Sequence, residues 1–180
     1  SKWGHHRILE KVGNGEVDVL IGTQMIAKGI DFPNVTLVGV VDADTALHLP
    51  DFRAAERTFQ LIAQVAGRAG RGPKGGSVLV QTRHPDHPAL GFAAQHDAEG
   101  FLIAELEARR SPPYPPTTAL VRIVASGEHA DHVAARILAL ARWCETLVTR
   151  LDLPVTLLGP APCPIERITN RWRHHLLLKG

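Results

Sequence analysis

At 180 residues the chain has room for one domain plus a small second one. Its 44% apolar and 21% charged residues describe an ordinary soluble globular protein. A net charge of +2 is too small to advertise a polyanion partner, so any basic surface must be local. Cys144 and Cys163 are the two cysteines, too few for a disulfide framework or a zinc site and suited to a reducing cytoplasm. No apolar run approaches the roughly 18 residues of a membrane span, and no signal peptide opens the chain. Ser1 in place of Met suggests a piece of a longer protein.

In chain order, Ile8, Leu9 and Val12 at helical spacing predict a helix over residues 4–13, ended by Gly13 and Gly15. The apolar run Val17 to Gly22 reads as a buried parallel strand. Thr23 then fits as an N-cap, with Gly29 closing a short helix after Lys28. Val35 to Val41 predicts a second buried strand, ending in Asp42 and Asp44. Phe52 to Ala66 predicts a helix with Phe52, Ala55, Phe59, Ile62 and Ala66 on one face. Arg53, Arg57, Gln60 and Gln64 form the opposite stripe, which runs up to Arg68. Ser77 to Thr82 is a third strand. Strands alternating with helices argue for a parallel α/β sheet, with sites at the strands' carboxyl ends, where Thr23, Asp42 and Thr82 lie.

The turn His84-Pro85-Asp86-His87-Pro88 leads into helical patterns up to Arg110. Ser111-Pro112-Pro113-Tyr114-Pro115-Pro116 reads as a stiff linker between a domain of residues 1–110 and one of 117–180. Beyond it, Ala119 to Ala125 alternates as a strand. A helix follows with Val133, Ile137, Leu140, Cys144, Leu147 and Leu151 on one face. Val155 to Leu158 is a strand, then comes a Pro-rich loop, then His174 to Lys179. The expected result is a small α+β domain, one long helix on a sheet.

Two segments carry chemistry. Gln64-Val65-Ala66-Gly67-Arg68-Ala69-Gly70-Arg71-Gly72 sets two guanidinium forks three residues apart, with only small residues between them. Such a pair suits a phosphate chain, although alone it also fits a solvated basic turn. Upstream lies Gly22-Thr23-Gln24-Met25-Ile26-Ala27-Lys28-Gly29-Ile30-Asp31-Phe32-Pro33. Together they resemble motifs V and VI of superfamily 2 helicases, in that order. The text from Asp42-Ala43-Asp44 through Leu49-Pro50-Asp51-Phe52-Arg53-Ala54-Ala55-Glu56-Arg57 resembles one family closely, the bacterial primosomal protein N′ (PriA) family of replication-restart helicases. The resemblance covers nearly the whole chain. It implies a partial RecA-like motor lobe 2 followed by a C-terminal DNA-binding domain.

The resemblance also implies roles. Arg68 and Arg71 match the motif VI arginines, Arg71 being the finger aimed at the γ-phosphate of ATP. Gln64, Asp31 and Gly29 fall in the ATP-binding set, Asp31 at the position that accepts hydrogen bonds from the ribose. Thr23 and Gln24 open a short helix that suits a backbone phosphate of the tracked strand, with Lys28 adding charge; plain capping by Thr23 is the alternative.

Near the C-terminus, Arg167, Arg171, Arg173 and Lys179 stand against Glu166 alone, with Trp172 among them. Charges for phosphates and a ring for stacking fit a nucleic-acid surface, the alternative being a solvated rim with Trp172 at the edge of the core. Gly159-Pro160-Ala161-Pro162-Cys163-Pro164-Ile165 followed by Arg171-Trp172-Arg173 matches the family's C-terminal domain.

Asp42 and Asp44 resemble a metal pair, but the family holds its metal with acids of the other lobe, so both read as structural or coupling residues. The ten histidines show no ligand geometry in the sequence; His129 and His132 share a helix face without a third ligand. No phosphate loop and no Asp-Glu magnesium motif occur, so ATP and magnesium are expected to be bound mainly by another lobe, and the chain alone to be inactive. The family's zinc is likewise expected elsewhere, and no metal site is assigned to these residues. Partners implied by the resemblance are forked and single-stranded DNA, single-strand DNA-binding protein, primosome proteins and the replicative helicase loader, in a bacterial cytoplasm at the nucleoid. The competing reading is a non-catalytic DNA- or protein-interaction module that keeps the lobe as scaffold.

Overall fold

The computed structural model describes residues 2–23, 35–67 and 75–180. The chain divides into two compact units, residues 1–103 and 104–180.

The first unit opens with α1 (Lys2–Gly13). Its end is a Schellman motif: Glu16 N–H donates to Lys11 O and Gly15 N–H to Val12 O. Gly15 sits at φ +74, where a Cβ is disfavoured, which is why the helix stops at this glycine. The expected strand over Val17 to Gly22 does not form. Val19 and Ile21 are 72% and 90% exposed, and among the described residues no neighbour pairs with their backbone. An apolar run becomes a strand only when something accepts its ladder.

β1 (Leu37–Val40) and β2 (Ser77–Val80) pair in parallel, Val38 opposite Val78 and Val40 opposite Val80. Both are shorter than the apolar runs that contain them, and each has one exposed face, with Leu37 and Leu79 outward. The expectation of strands buried on both faces is corrected: α3 packs near them, and Val80 joins the core on that side.

α2 (Asp44–Leu47) follows β1, and α3 (Ala54–Ala66) follows a turn held by Asp51. The Asp51 carboxylate accepts from Arg53 N–H and meets the Arg57 guanidinium at 2.8 Å. Burial alone would raise the pKa of Asp51, yet these donors outweigh it and hold the carboxyl below its ordinary range. The Leu49-to-Arg57 text is therefore a helix-entry device. α3 buries Ala54, Thr58, Phe59, Ile62 and Val65, a stripe turned slightly from the predicted face. Arg53, Arg57 and Gln60 stay exposed on the other side, as predicted.

α4 (Pro88–Ala94) starts with Pro88 in its first turn and His87 as N-cap, whose Nδ1 accepts from Ala89 N–H at 3.2 Å. α5 (Ala98–Ala108) brings Phe101 into the core of α3 and α4 residues, where it stacks on Phe59 with ring centroids 4.2 Å apart.

In the second unit the Pro-rich segment is clipped to Arg109, which donates to Pro115 O and pairs with Glu105 at 2.8 Å. β3 (Leu120–Gly127), β4 (Thr156–Ile168) and β5 (Arg171–Lys179) form an antiparallel sheet in the order β3-β5-β4. α6 (Ala130–Arg150) lays Ile137, Ala141 and Cys144 on Leu176, with Ile123, Leu140, Leu157 and Leu178 around them. The amphipathic reading of this helix holds except at Leu151, which lies past its end and is 56% exposed.

The predicted Pro-rich loop is corrected to strand. Proline lacks an N–H and is tolerated where no ladder donor is needed, and β4 is an edge strand carrying Pro160, Pro162 and Pro164. The register slips between Leu158 and Ala161, with Gly159 at φ +100 and space for a Cβ closed by His175 O at 3.2 Å.

Candidate nucleic-acid interface

The basic stretch near the C-terminus is a β-hairpin. Thr169 and Asn170 both take positive φ, 50 and 60, so a two-residue turn joins β4 to β5, and asparagine tolerates that conformation well. The turn pairs Ile168 with Arg171 and Arg167 with Trp172.

Residues directly opposite across an antiparallel pair share a face, and neighbours along a strand alternate. On β5, Trp172, His174, Leu176 and Leu178 therefore share the face that packs on α6. Arg171, Arg173, His175, Leu177 and Lys179 share the other. Arg122 on β3 stands opposite Leu177 and joins this second face.

The hairpin residues singled out from the sequence thus fall on two surfaces. Arg171 and Arg173 belong to a basic sheet face that Arg122 and Lys179 extend. Arg167 and Trp172 lie together on the opposite side, the guanidinium 5.2 Å from the indole ring centre.

Local contacts hold these cations in place. Arg171 donates to Ser126 O at 3.2 Å, which ties the hairpin to β3. Lys179 Nζ lies 5.1 Å from the Tyr114 ring centre. His175 is half-buried within the basic face. Burial first, then the charges of Arg122, His174 and Arg173, push its pKa below the ordinary histidine value. His174 Nδ1 and His175 Nδ1 are buried with no hydrogen-bond partner among the described residues.

In the first unit, Gln64 is half-buried in the last turn of α3, and Gly67 is the C-cap of that helix. Thr23 is exposed and outside any helix or strand. Gln24, Lys28, Gly29, Asp31, Arg68 and Arg71 lie outside the described residues. The two carboxylates after β1 have separate tasks. Asp42 accepts from Thr45 N–H and from its hydroxyl at 2.6 Å, fastening the first turn of α2. Asp44 accepts from Thr82 Oγ1 at 2.6 Å and from Arg83 N–H at 2.8 Å, coupling the ends of β1 and β2.

Two family profiles match the chain. The helicase conserved C-terminal domain covers residues 4–73, and the primosomal protein N C-terminal domain covers residues 110–180. The chain is 45% identical over 178 residues to the replication restart protein PriA of Bacillus subtilis, covering 99% of this chain and 22% of that relative. It is 43% identical over 178 residues to the PriA protein of Synechocystis, covering 99% of this chain and 21% of the relative. The PriA protein of Treponema pallidum matches at 43% over 181 residues, 98% of this chain and 27% of the relative.

The chain belongs to the PriA family.

It spans about a quarter or less of the length of these PriA relatives. The hairpin and its basic face lie wholly within the match to the primosomal protein N C-terminal domain, and Gln64 within the match to the helicase domain. Sequence reasoning missed Arg122, which sits in an apolar alternation and is identified only by the β3–β5 register. It also missed a grouping of Asp44, His48 and His84. The i, i+4 spacing of Asp44 and His48 was a visible signal; the arrival of His84 was not.

Proposed function

We propose that this chain is the C-terminal part of an ATP-dependent 3′-to-5′ DNA helicase that binds stalled or abandoned replication forks and promotes primosome assembly and reloading of the replicative helicase. The observation that carries the proposal is identity of 45% to a replication restart protein PriA, sustained through both units. The basic hairpin face supports it chemically: fixed guanidinium groups on a sheet neutralise phosphates without reading base edges.

The first unit supplies one side of an ATP site. Arg71 places a guanidinium on the γ-phosphate as charge spreads over its oxygens, Arg68 and Gln64 support it, and Asp31 with Gly29 receives the ribose. Thr23, Gln24 and Lys28 hold the backbone of the tracked strand. Magnesium neutralises the phosphates when bound, and this chain's 180 residues contain no phosphate loop or Asp-Glu motif to hold it. The motor is complete only with a second lobe, and the expected partners are single-strand DNA-binding protein and the loading machinery.

The purified chain is expected to release no phosphate from ATP with or without forked DNA. A chimera joining it to the portion of the Bacillus subtilis relative that it does not cover should show DNA-stimulated release. Turnover by the chain alone, or a folded chimera that binds DNA without turning over ATP, would contradict the proposal.

A further inference from the structure

The loops after β1 and β2 bring together one carboxylate and two imidazoles. One donor atom from each of Asp44, His48 and His84 lies within 4.8 Å of the others. The His48 and His84 ring centres are 5.0 Å apart. We propose that Asp44, His48 and His84 form a binding site for a first-row divalent transition ion such as zinc, an inference that does not rest on the helicase reading.

The donor set selects the ion class. Imidazole nitrogen with one carboxylate suits zinc and its neighbours, whereas magnesium and calcium prefer oxygen alone and copper(I) prefers sulfur. Three protein ligands leave further positions to water, as in open zinc sites. Zinc bonds of about 2.0–2.2 Å draw donors to about 3.3 Å apart. Both histidines are exposed, so their rings have room to make that contraction.

The supporting contacts match what metal ligands need. His48 Nδ1 lies 2.8 Å from Asp44 O. A carbonyl oxygen only accepts, so Nδ1 carries the proton and the neutral ring keeps its lone pair on Nε2. Asp44 accepts one bond on each oxygen, from Thr82 and Arg83, which fixes the carboxylate and leaves lone pairs over. The scaffold is rigid: Gln81 N–H donates to Val40 O and Ala43 N–H to Gln81 O, and Thr82 Oγ1 also accepts from His84 N–H. Asp42 and Asp86 line the adjoining grooves and offset the charge of Arg83 there.

The test is zinc titration of the 180-residue chain by calorimetry, with cobalt(II) absorption as a spectroscopic probe. One zinc per chain is expected. His48→Ala and His84→Ala should each weaken it at least 10-fold and abolish the visible cobalt band, since even outer-shell changes cost 10–100-fold. His132→Ala, beside His129 on α6, should leave both unchanged. Both ligand positions are exposed, so circular dichroism of the metal-free variants should match the parent. Zinc bound equally well by the parent and both variants, or no zinc bound at micromolar concentration by the folded parent, would overturn the proposal.

Discussion

Arg71→Ala, placed in a protein that joins this chain to a phosphate-binding lobe, should lower ATP turnover by about 10³–10⁵. At 1.36 kcal/mol per decade this is roughly 4–7 kcal/mol of barrier. The effect belongs to kcat because the guanidinium matters most when charge moves onto the γ-phosphate oxygens, which ground-state binding does not reproduce. Arg71→Lys should not rescue, since a point ammonium lacks the planar fork. Melting temperature and fork affinity should be preserved, because an arginine acting on nucleotide across an interface contributes little to the core. Measured in parallel, near-normal turnover would remove Arg71 from the finger role. A lost melting transition would make the residue structural instead.

Ile137→Ala should destabilise the second unit by about 2–5 kcal/mol. Ile137 is 1% exposed and packs with Ala141, Cys144 and Leu176, where α6 meets the centre of the sheet. Truncation removes buried methyl groups and leaves a cavity that a helix fastened along its length cannot close. Its neighbour Leu138, 42% exposed, is the control, and Leu138→Ala should stay within about 0.5 kcal/mol. Urea unfolding followed by circular dichroism measures both. Equal midpoints for the two variants would mean that the core is not centred on this helix.

Periodicity revealed the elements whose burial is local. α3 and α6 each carry one apolar stripe, and both were legible to within a small rotation of the face. The end of α1 was legible because glycine at positive φ closes a helix. What failed depended on neighbours. Val17 to Gly22 has the composition of a strand but no partner among the described residues. The stretch from Gly159 to Pro164 has the composition of a loop, yet it lies in an edge strand where proline costs no ladder bond.

The candidate site divides the same way. Arg171, Arg173 and Trp172 were visible as a basic and aromatic run. Their separation onto two faces follows from strand alternation, which a run of residues does not display. Arg122 and His84 reach their places through strand pairing, β3 with β5 and β1 with β2, so no local pattern announces them.

Binding of a forked DNA by the 180-residue chain, measured across a series of salt concentrations, tests the central claim most directly. The parent should bind with affinity that falls steeply with salt, because each neutralised phosphate releases a counterion and contributes about 0.9 to the slope of log K against log salt. The Arg171→Ala/Arg173→Ala double variant should bind more weakly and lose about one unit of slope for each contact removed, about two in all. A parent slope near zero, or a double variant with unchanged affinity and slope, would contradict a DNA-binding role for the hairpin face.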